Sequence, residues 1–143
     1  MIKIDPIIAV KDVEVSSKWY EHVFGVKRLQ GESGSFAVLG SDHGEILLCL
    51  HGWGEHHHPP MADPGITPGN GLMLYFRTAD MQDIRQPVAD MRVVVDQDGH
   101  LNPNSLKKEF SLRDPDGYYL TITEYHEYKA LDHVNQKFDK IIF

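Results

Sequence analysis

The residues best suited to chemistry form the run Glu55-His56-His57-His58. Imidazole titrates near neutral pH and binds transition metals, so these side chains could transfer protons, respond to pH or hold an ion. Successive residues of an extended chain point to opposite sides, so three consecutive histidines rarely bind one ion together. The run is therefore a surface loop that binds zinc or nickel incidentally, a structural metal site, or a rim over a cavity. As a rim, it would offer one imidazole, of His56 or His58, as a hydrogen-bonding group or an acid-base catalyst.

Other candidate groups are scattered along the chain. The sequence contains no serine-histidine-acid order, phosphate-binding glycine loop, Cys-x-x-Cys pair or dinucleotide fingerprint. Cys49 is the single cysteine and lies in the apolar run ILLCL, which indicates a buried structural thiol. Arg77 and Arg113 each end a strand-like segment, where they are either surface charges or groups that bind an anionic ligand.

Composition and charge exclude several classes of partner. The chain has 143 residues, 41% of them hydrophobic, which suits one compact domain with a core. Its formal net charge of -7 argues against nucleic acid and against an anionic membrane surface. No apolar run approaches the roughly 20 residues of a membrane-spanning helix, and the start, MIKIDPIIAV, lacks the pattern of a signal peptide. These features predict a cytoplasmic protein.

Two halves of the chain show the same order of strand and helix signals. The first half predicts one strand, one helix and three strands, over 2–10, 13–24, 27–30, 35–39 and 45–51. The second half repeats this order over 72–78, 80–91, 93–95, 106–113 and 118–125. Asp12 is a suitable cap for the first helix and Gly25 a suitable stop, whereas Pro87 should kink or shorten the second helix. The run Asp114-Pro115-Asp116-Gly117 has the turn chemistry of a β-hairpin.

The connection and the tail complete the organisation. The segment 55–70 is rich in glycine and proline and predicts a long loop between the two halves. The segment 127–143 carries apolar residues at helical spacing and predicts an amphipathic terminal helix. We therefore expect one domain over 1–126, built from a first module (1–54), a linker loop (55–70) and a second module (71–126), followed by a helical tail.

The paired β-α-β-β-β pattern resembles the vicinal oxygen chelate superfamily, which includes glyoxalase I, the bleomycin resistance proteins, fosfomycin resistance enzymes and extradiol dioxygenases. The similarity spans residues 1 to about 126 and rests on three stretches: Ile8-Ala9-Val10 with Asp12, Ser16, Trp19-Tyr20 and Phe24-Gly25; Leu74-Tyr75-Phe76 up to Asp80; and Phe110-Ser111-Leu112-Arg113 with the Asp-Pro-Asp-Gly turn. The run His51-Gly52-Trp53-Gly54 also looks like the tryptophan-glycine pair of bacterial glyoxalase I.

This resemblance implies an α+β fold in which two paired β-α-β-β-β modules form a cupped, half-barrel sheet cavity, with a C-terminal helix added and a homodimer as the expected assembly. In metal-dependent relatives four strand positions supply histidine and glutamate ligands. Those positions fall on Asp5, Leu48, Leu72 or Met73, and Thr121. Leucine has no lone pair, and thioether and neutral hydroxyl groups are poor ligands, so we expect no metal and no cofactor.

The favoured function is therefore binding of a small, partly aromatic molecule in a metal-free cavity of the bleomycin-resistance type. The expected lining residues are Asp5, Ile7, Phe36, Leu48, Trp53, Met73, Tyr75 and Thr121. The alternative is a lyase or isomerase related to glyoxalase, or a dioxygenase relative, with displaced metal ligands or with metal-free acid-base groups from Asp5 and His56 or His58. A third hypothesis is an interaction module with a vestigial cavity. Asp5 is either a buried general base with a raised pKa or a solvated carboxylate.

Overall fold

The computed structural model describes residues 3–31, 34–55 and 58–127. Its helices and strands are, in chain order, β1 (Ile7–Val10), α1 (Val13–Phe24), β2 (Lys27–Gln30), β3 (Phe36–Gly40), β4 (Ile46–Gly52), β5 (Met73–Thr78), α2 (Met81–Asp90), β6 (Asp96–Leu101), β7 (Lys108–Arg113) and β8 (Tyr119–Glu124). A short 3-10 turn over Pro59–Met61 lies in the connection between the halves. The tail helix predicted over 127–143 and the side chain of His56 lie outside the described residues, apart from Glu127.

Each half of the chain forms one four-stranded mixed sheet, as the repeated pattern predicts. The strand order is β1-β4-β3-β2 in the first module and β5-β8-β7-β6 in the second. In both modules the first strand is parallel to the fourth and the remaining pairs are antiparallel. This equivalence confirms the α+β fold of two β-α-β-β-β modules. In the described part of the chain the two sheets stay separate, so they do not close into a barrel.

The two helices begin where the sequence predicts. Asp12 caps α1 by accepting a hydrogen bond from the Val15 N–H at 3.0 Å, and Gly25 ends this helix in the left-handed conformation at φ 68°. Asp80 caps α2 in the same way. Pro87 lies inside α2, yet the helix continues for three more residues to Asp90, so Pro87 does not shorten it. Neither helix, nor any other in the described ranges, has the length and apolarity to cross a membrane.

One hydrophobic core joins the two modules. Each helix covers one face of its own sheet, and α1 also contacts α2. In the first module Leu48 and Leu50 of β4 lie on the face of the sheet that the helix covers. In the second module Leu120 and Ile122 of β8 occupy the equivalent face. Side chains alternate along a strand, so the neighbours of these four residues on β4 and β8 point to the opposite face of each sheet. We call that side the open face of each sheet.

Hydrogen bonds at the Asp-Pro-Asp-Gly turn fasten the second module to the first. The Tyr20 hydroxyl of α1 donates to Asp114 at 2.8 Å, and the backbone N–H of Lys11 donates to Asp116 at 2.9 Å. The Tyr118 hydroxyl donates to the carbonyl of Ala9 at 2.8 Å. Burial raises the pKa of Asp114 above its ordinary value and raises that of Tyr118 to about 12. A turn that is predictable from sequence is therefore also the main polar contact between modules.

Two predicted strands differ from those observed. The first strand begins at Ile7 rather than near residue 2, because its ladder with β4 starts there. The strand predicted over 93–95 is wrong, since the sixth strand is Asp96–Leu101. The Val93 N–H instead donates to the Val88 carbonyl at the end of α2, and Val93 and Val95 pack against the core. Val93 and Val95 therefore anchor the connection after α2 to the core, while Val94 between them is exposed, so this run of β-branched residues reflects packing rather than strand pairing.

Candidate functional site

A cleft of about 410 Å³ lies where the two modules meet. It runs along β5, the strand at the edge of the second sheet, and is bordered by the end of α1 and the start of β4. Because β5 is an edge strand, side chains from both of its faces reach the cleft. The site is therefore formed by both modules.

The inner wall of the cleft is apolar. It includes Phe24, Val26, Ile46, Leu74, Phe76 and Ile84. The rings of Phe24 and Phe76, which come from different modules, lie with their centroids 4.6 Å apart. Both residues belong to the rim of the core, where the apolar side chains of α1 and β5 extend beyond the part that the sheets cover. This wall can bury an apolar or aromatic group.

The outer end of the cleft is polar. Tyr75, Arg77 and Thr78 of β5 reach it, together with Tyr125 just after β8. The Arg77 guanidinium carbon lies 5.5 Å from the centre of the Tyr125 ring, and its Nη1 donates to the His126 carbonyl at 2.6 Å. The Tyr125 N–H donates to the Thr78 carbonyl at 2.8 Å, which extends the β5–β8 pairing to this point. This backbone pairing places the Tyr125 ring beside Arg77, and the ring in turn positions the guanidinium.

A buried carboxylate lies behind the cleft, on the open face of the second sheet. Glu109 of β7 is only 7% exposed and accepts a hydrogen bond from the Tyr75 hydroxyl at 2.8 Å. The side-chain amide of Asn102 lies 3.3 Å from both carboxylate oxygens. Tyr75 also borders the cleft, so this residue links the buried carboxylate to the wall of the ligand space. This arrangement could orient a ligand or move a proton.

Thr121 lies on the same open face and is 3% exposed. Its hydroxyl lies 2.8 Å from the hydroxyl of Ser111 and 3.4 Å from the sulfur of Met73. The ladders pair Thr121 with Ser111 on one side and with Tyr75 on the other. The threonine therefore completes a polar row across the sheet, and its hydroxyl is engaged within the protein.

Sequence reasoning missed Glu109, Ser111 and Asn102. A signal for the first two was present, because a hairpin centred on the Asp-Pro-Asp-Gly turn places residue 111 opposite residue 121. Alternation then puts Glu109 on the same face as Ser111. Asn102 directly follows β6, in the turn to β7, where its N–H donates to the Lys107 carbonyl at 2.9 Å. The contact with Glu109 is local as well, but the sequence analysis placed the sixth strand at 93–95 and therefore missed this turn.

His58, the last residue of the histidine run, lies against the first module. The His58 ring lies 5.0 Å from the ring of His51, which is buried on the open face of β4. The His51 Nδ1 lies 2.8 Å from the Gly52 carbonyl, and since a carbonyl can only accept, Nδ1 carries a proton. His56 lies outside the described residues. The structure therefore shows one loop histidine in contact with the sheet, at a residue, His51, that the sequence analysis did not select.

The eight predicted lining residues occupy different places. Leu48 and Tyr75 border the cleft, and the other six are not among its lining residues: Asp5, Ile7, Phe36, Trp53, Met73 and Thr121. Ile7 and Phe36 lie on strands of the first sheet, and Trp53 lies in the turn after β4. Asp5 is exposed ahead of β1 and borders a separate depression beside Lys3 and Glu45. Its surroundings match the solvated carboxylate rather than the buried base.

The positions at which metal-dependent relatives bind an ion do not fit one here. Leu48 is fully buried in the core, and the Thr121 hydroxyl is bonded to Ser111. Asp5 is exposed, and Met73 offers only a thioether. Among residues 3–31, 34–55 and 58–127, no three histidine, cysteine, aspartate or glutamate side chains are close enough to hold one ion. Cys49 is buried beside Asp5, and burial raises the pKa of its thiol, which suits a structural role.

Comparison with known proteins gives a family match and several structural ones. A family model described as the Glyoxalase/Bleomycin resistance protein/Dioxygenase superfamily matches residues 3–122. A protein from the mobile metagenome of V. pseudocholerae is 25% identical, with a TM-score of 0.66 over 89% of this chain and 97% of that chain. A lactoylglutathione lyase from Agrobacterium tumefaciens is 17% identical, with a TM-score of 0.64 over 86% and 92% of the two chains. A bleomycin-binding protein complexed with bleomycin is 16% identical, with a TM-score of 0.62 over 88% and 100%. Comparison with curated proteins finds no match.

Proposed function

Because the chain belongs to the glyoxalase/bleomycin resistance protein/dioxygenase superfamily, we propose that it binds a small, partly aromatic molecule in the cleft between its two modules. The observation that carries this proposal is the cleft itself, which combines about 410 Å³ of space with an apolar wall and a polar end. Ligand sites of small molecules have volumes of roughly 300–1,000 Å³ and this same mixture of surfaces.

The rings around the cleft favour a planar ligand. Phe24 and Phe76 form one side, and Tyr75 and Tyr125 lie towards the outer end. A ring that stacks on such side chains gains about 0.5–1.5 kcal/mol for each pair beyond the burial of its area. The bleomycin-binding structure is similar in fold alone, and fold does not specify a ligand. Support for the ligand class therefore comes from the side chains of this chain.

Blocking the cleft should abolish binding of a neutral aromatic probe. Ile46 lines the cleft and is 43% exposed, so Ile46→Trp can be accommodated while its larger side chain takes up ligand space. We expect wild-type protein to bind N-phenyl-1-naphthylamine saturably with a rise in fluorescence, and Ile46→Trp to weaken the affinity at least about tenfold, a loss of 1.4 kcal/mol.

The matched control is Val94→Trp, because Val94 is 81% exposed and is not among the residues that line the cleft. This variant adds the same ring to the surface and should bind the probe like wild-type protein. Both variants should first show the thermal transition of wild-type protein. Equal probe affinity of the two variants, or no saturable binding by wild-type protein, would refute the proposal.

A second candidate function, a lyase or isomerase that works by proton transfer, is favoured by one observation. Glu109 is a buried carboxylate whose hydrogen bond to Tyr75 leads to the cleft. The enzyme proposal therefore assigns the base to Glu109, whereas the sequence had suggested Asp5 and a loop histidine. It also predicts that Glu109→Gln lowers turnover about 100-fold or more, since a general base contributes roughly 10²–10⁴.

The test is formation of lactoylglutathione from methylglyoxal and glutathione, followed for wild-type protein, Glu109→Gln and Glu124→Gln. Glu124 is a carboxylate of the neighbouring strand β8 that accepts from the Lys108 N–H, so its variant controls for loss of charge. The enzyme proposal would be supported if wild-type protein and Glu124→Gln turn over the substrates and Glu109→Gln does not, while all three proteins bind the probe equally. No turnover by wild-type protein would count against this activity.

The open space in the cleft weighs against the third hypothesis, an interaction module whose cavity is vestigial. The homodimer and the cytoplasmic location expected from the sequence stay predictions. Ile7 and Met73 are 47% and 52% exposed, and they lie on strands whose open faces are not covered by either helix of the described residues, which supports the dimer proposal.

A further inference from the structure

We propose that Asn70 is a site of spontaneous covalent modification, at which the amide nitrogen of Gly71 attacks the Asn70 side chain and forms a succinimide. The inference goes beyond the proposed function, because the reaction needs no ligand and no active site. It rests on the different surroundings of the asparagines within residues 3–31, 34–55 and 58–127.

The reaction proceeds in two steps. The Gly71 nitrogen loses its proton to water or hydroxide and attacks the side-chain carbonyl carbon of Asn70. A carbon–nitrogen bond forms within a five-membered ring, the bond to the side-chain nitrogen breaks, and that nitrogen takes up a proton and leaves as ammonia. Water then opens the ring at either carbonyl, which gives aspartate or isoaspartate. The product carries one new carboxylate, and neither an oxidant nor a reductant is needed.

Solvent access is the first argument. Asn70 and Gly71 are both exposed, in the connection that leads into β5. Neither the Asn70 side chain nor the Gly71 N–H has a hydrogen-bond partner among the described residues. The attacking nitrogen and the attacked carbon are therefore open to water, which takes the proton in the first step and opens the ring in the second.

The local backbone is the second argument. The turn is closed by one hydrogen bond, in which the Leu72 N–H donates to the Gly69 carbonyl at 2.9 Å. Gly69 is tightly packed, since a Cβ there would lie 2.7 Å from the Tyr118 ring. At Gly71, where φ is 84°, a Cβ would have no atom within 4 Å. Because one exposed hydrogen bond holds the peptide and glycine places no side chain beside the attacking nitrogen, the local opening that aligns the two atoms costs little.

Asn102 and Asn104, in the turn between β6 and β7, provide internal comparisons. Asn102 is followed by Pro103, whose nitrogen carries no proton to lose. Asn104 is followed by Ser105, whose N–H donates to the Asn102 side-chain oxygen at 3.3 Å. The N–H of Asn104 donates to the same oxygen at 2.8 Å, so this peptide is held on both sides. Of the asparagines that the structure describes, Asn70 alone precedes an amide that is both present and unbonded.

The experiment incubates the full-length protein in mildly alkaline buffer at body temperature and weighs its proteolytic peptides by mass spectrometry. We expect the peptide with Asn70 to gain about 1 Da, in separable aspartyl and isoaspartyl forms, at least about tenfold faster than the peptide with Asn104. The rate should rise with pH, because the Gly71 nitrogen attacks only after it loses its proton.

The matched control is Asn70→Gln. Glutamine keeps the side-chain amide, but its extra methylene requires a six-membered ring, which closes far more slowly. The peptide of this variant should therefore keep its mass over the same period. Wild-type protein and the variant should show the same thermal transition before incubation, since residue 70 is exposed.

Three outcomes would overturn the inference. The peptide with Asn70 could change no faster than the peptide with Asn104, it could change only when the protein is unfolded in urea, or its product could be the aspartyl form alone. The second outcome would mean that the folded turn prevents ring closure, and the third that water hydrolyses the amide directly. None of these outcomes concerns the cleft, so the proposed function stands or falls separately, by binding of the neutral probe.

Discussion

Replacing Asp114 by alanine should lower the free energy of unfolding by about 3–5 kcal/mol, because several buried donors would lose one acceptor together. Asp114 accepts hydrogen bonds from the Tyr20 hydroxyl at 2.8 Å and from the backbone N–H groups of Asp116 and Tyr118 at 2.9 Å. Tyr20 is fully buried, so water cannot replace the lost partner. The effect should appear as a shift of the urea midpoint at unchanged slope.

The control is Asp98→Ala. Asp98 forms an exposed ion pair with Arg85 at 3.0 Å, with 56% of its side chain accessible. Exposed pairs contribute about 0–1 kcal/mol, so this variant removes a carboxylate and an ion pair at little cost. If Asp114→Ala were no more destabilising than Asp98→Ala, the turn could not be the contact that holds the modules together.

Asp114→Asn separates the charge of this residue from its hydrogen bonds. Burial raises the pKa of Asp114 above 3.8, while the hydrogen bonds from Tyr20 and the backbone oppose that shift. Between 3.8 and the raised pKa the folded state holds more protons than the unfolded state, so the free energy of unfolding falls as pH rises through this window and is level above it. Asparagine does not titrate. The free energy of unfolding of wild-type protein minus that of Asp114→Asn should therefore decrease with rising pH in that window. A difference that stays constant with pH would contradict the burial argument.

Replacing Leu48 by alanine should lower the free energy of unfolding by about 2–5 kcal/mol, the range for truncating a buried leucine. The side chain is fully buried and belongs to the core cluster that α1 and β4 share. Removing it takes away apolar burial and leaves a cavity beside the ligand cleft, which Leu48 also borders. Thermal and urea unfolding of the purified variant would measure the loss.

Two companion variants test the reason for this loss. Leu48→Met keeps the volume and should cost less than about 1.5 kcal/mol. Ile7→Ala truncates a residue of the adjacent strand that is 47% exposed, and it should cost less than Leu48→Ala because less buried area is removed. If Leu48→Ala kept full stability and lost only probe binding, Leu48 would be a ligand contact without a core role, as the sequence alone suggests.

Local signals in the sequence were enough to predict the order of the elements. The cap at Asp12, the stop at Gly25 and the Asp-Pro-Asp-Gly turn act within a few residues, and each lies where expected. The repeated pattern also predicted two equivalent sheets, because hydrophobic periodicity depends on neighbours in the chain. The hairpin register around the turn even contained the pairing of Thr121 with Ser111.

The candidate site, by contrast, depends on which face of each strand meets a helix and which strands lie at the edges. A shift of one residue exchanges the two faces of a strand, and packing against distant elements chooses between them. That choice put Leu48 in the core, Glu109 behind Tyr75, and Arg77 rather than Arg113 beside the cleft. Contacts between residues far apart in the chain leave no local pattern, so these roles emerged only when both modules were packed together.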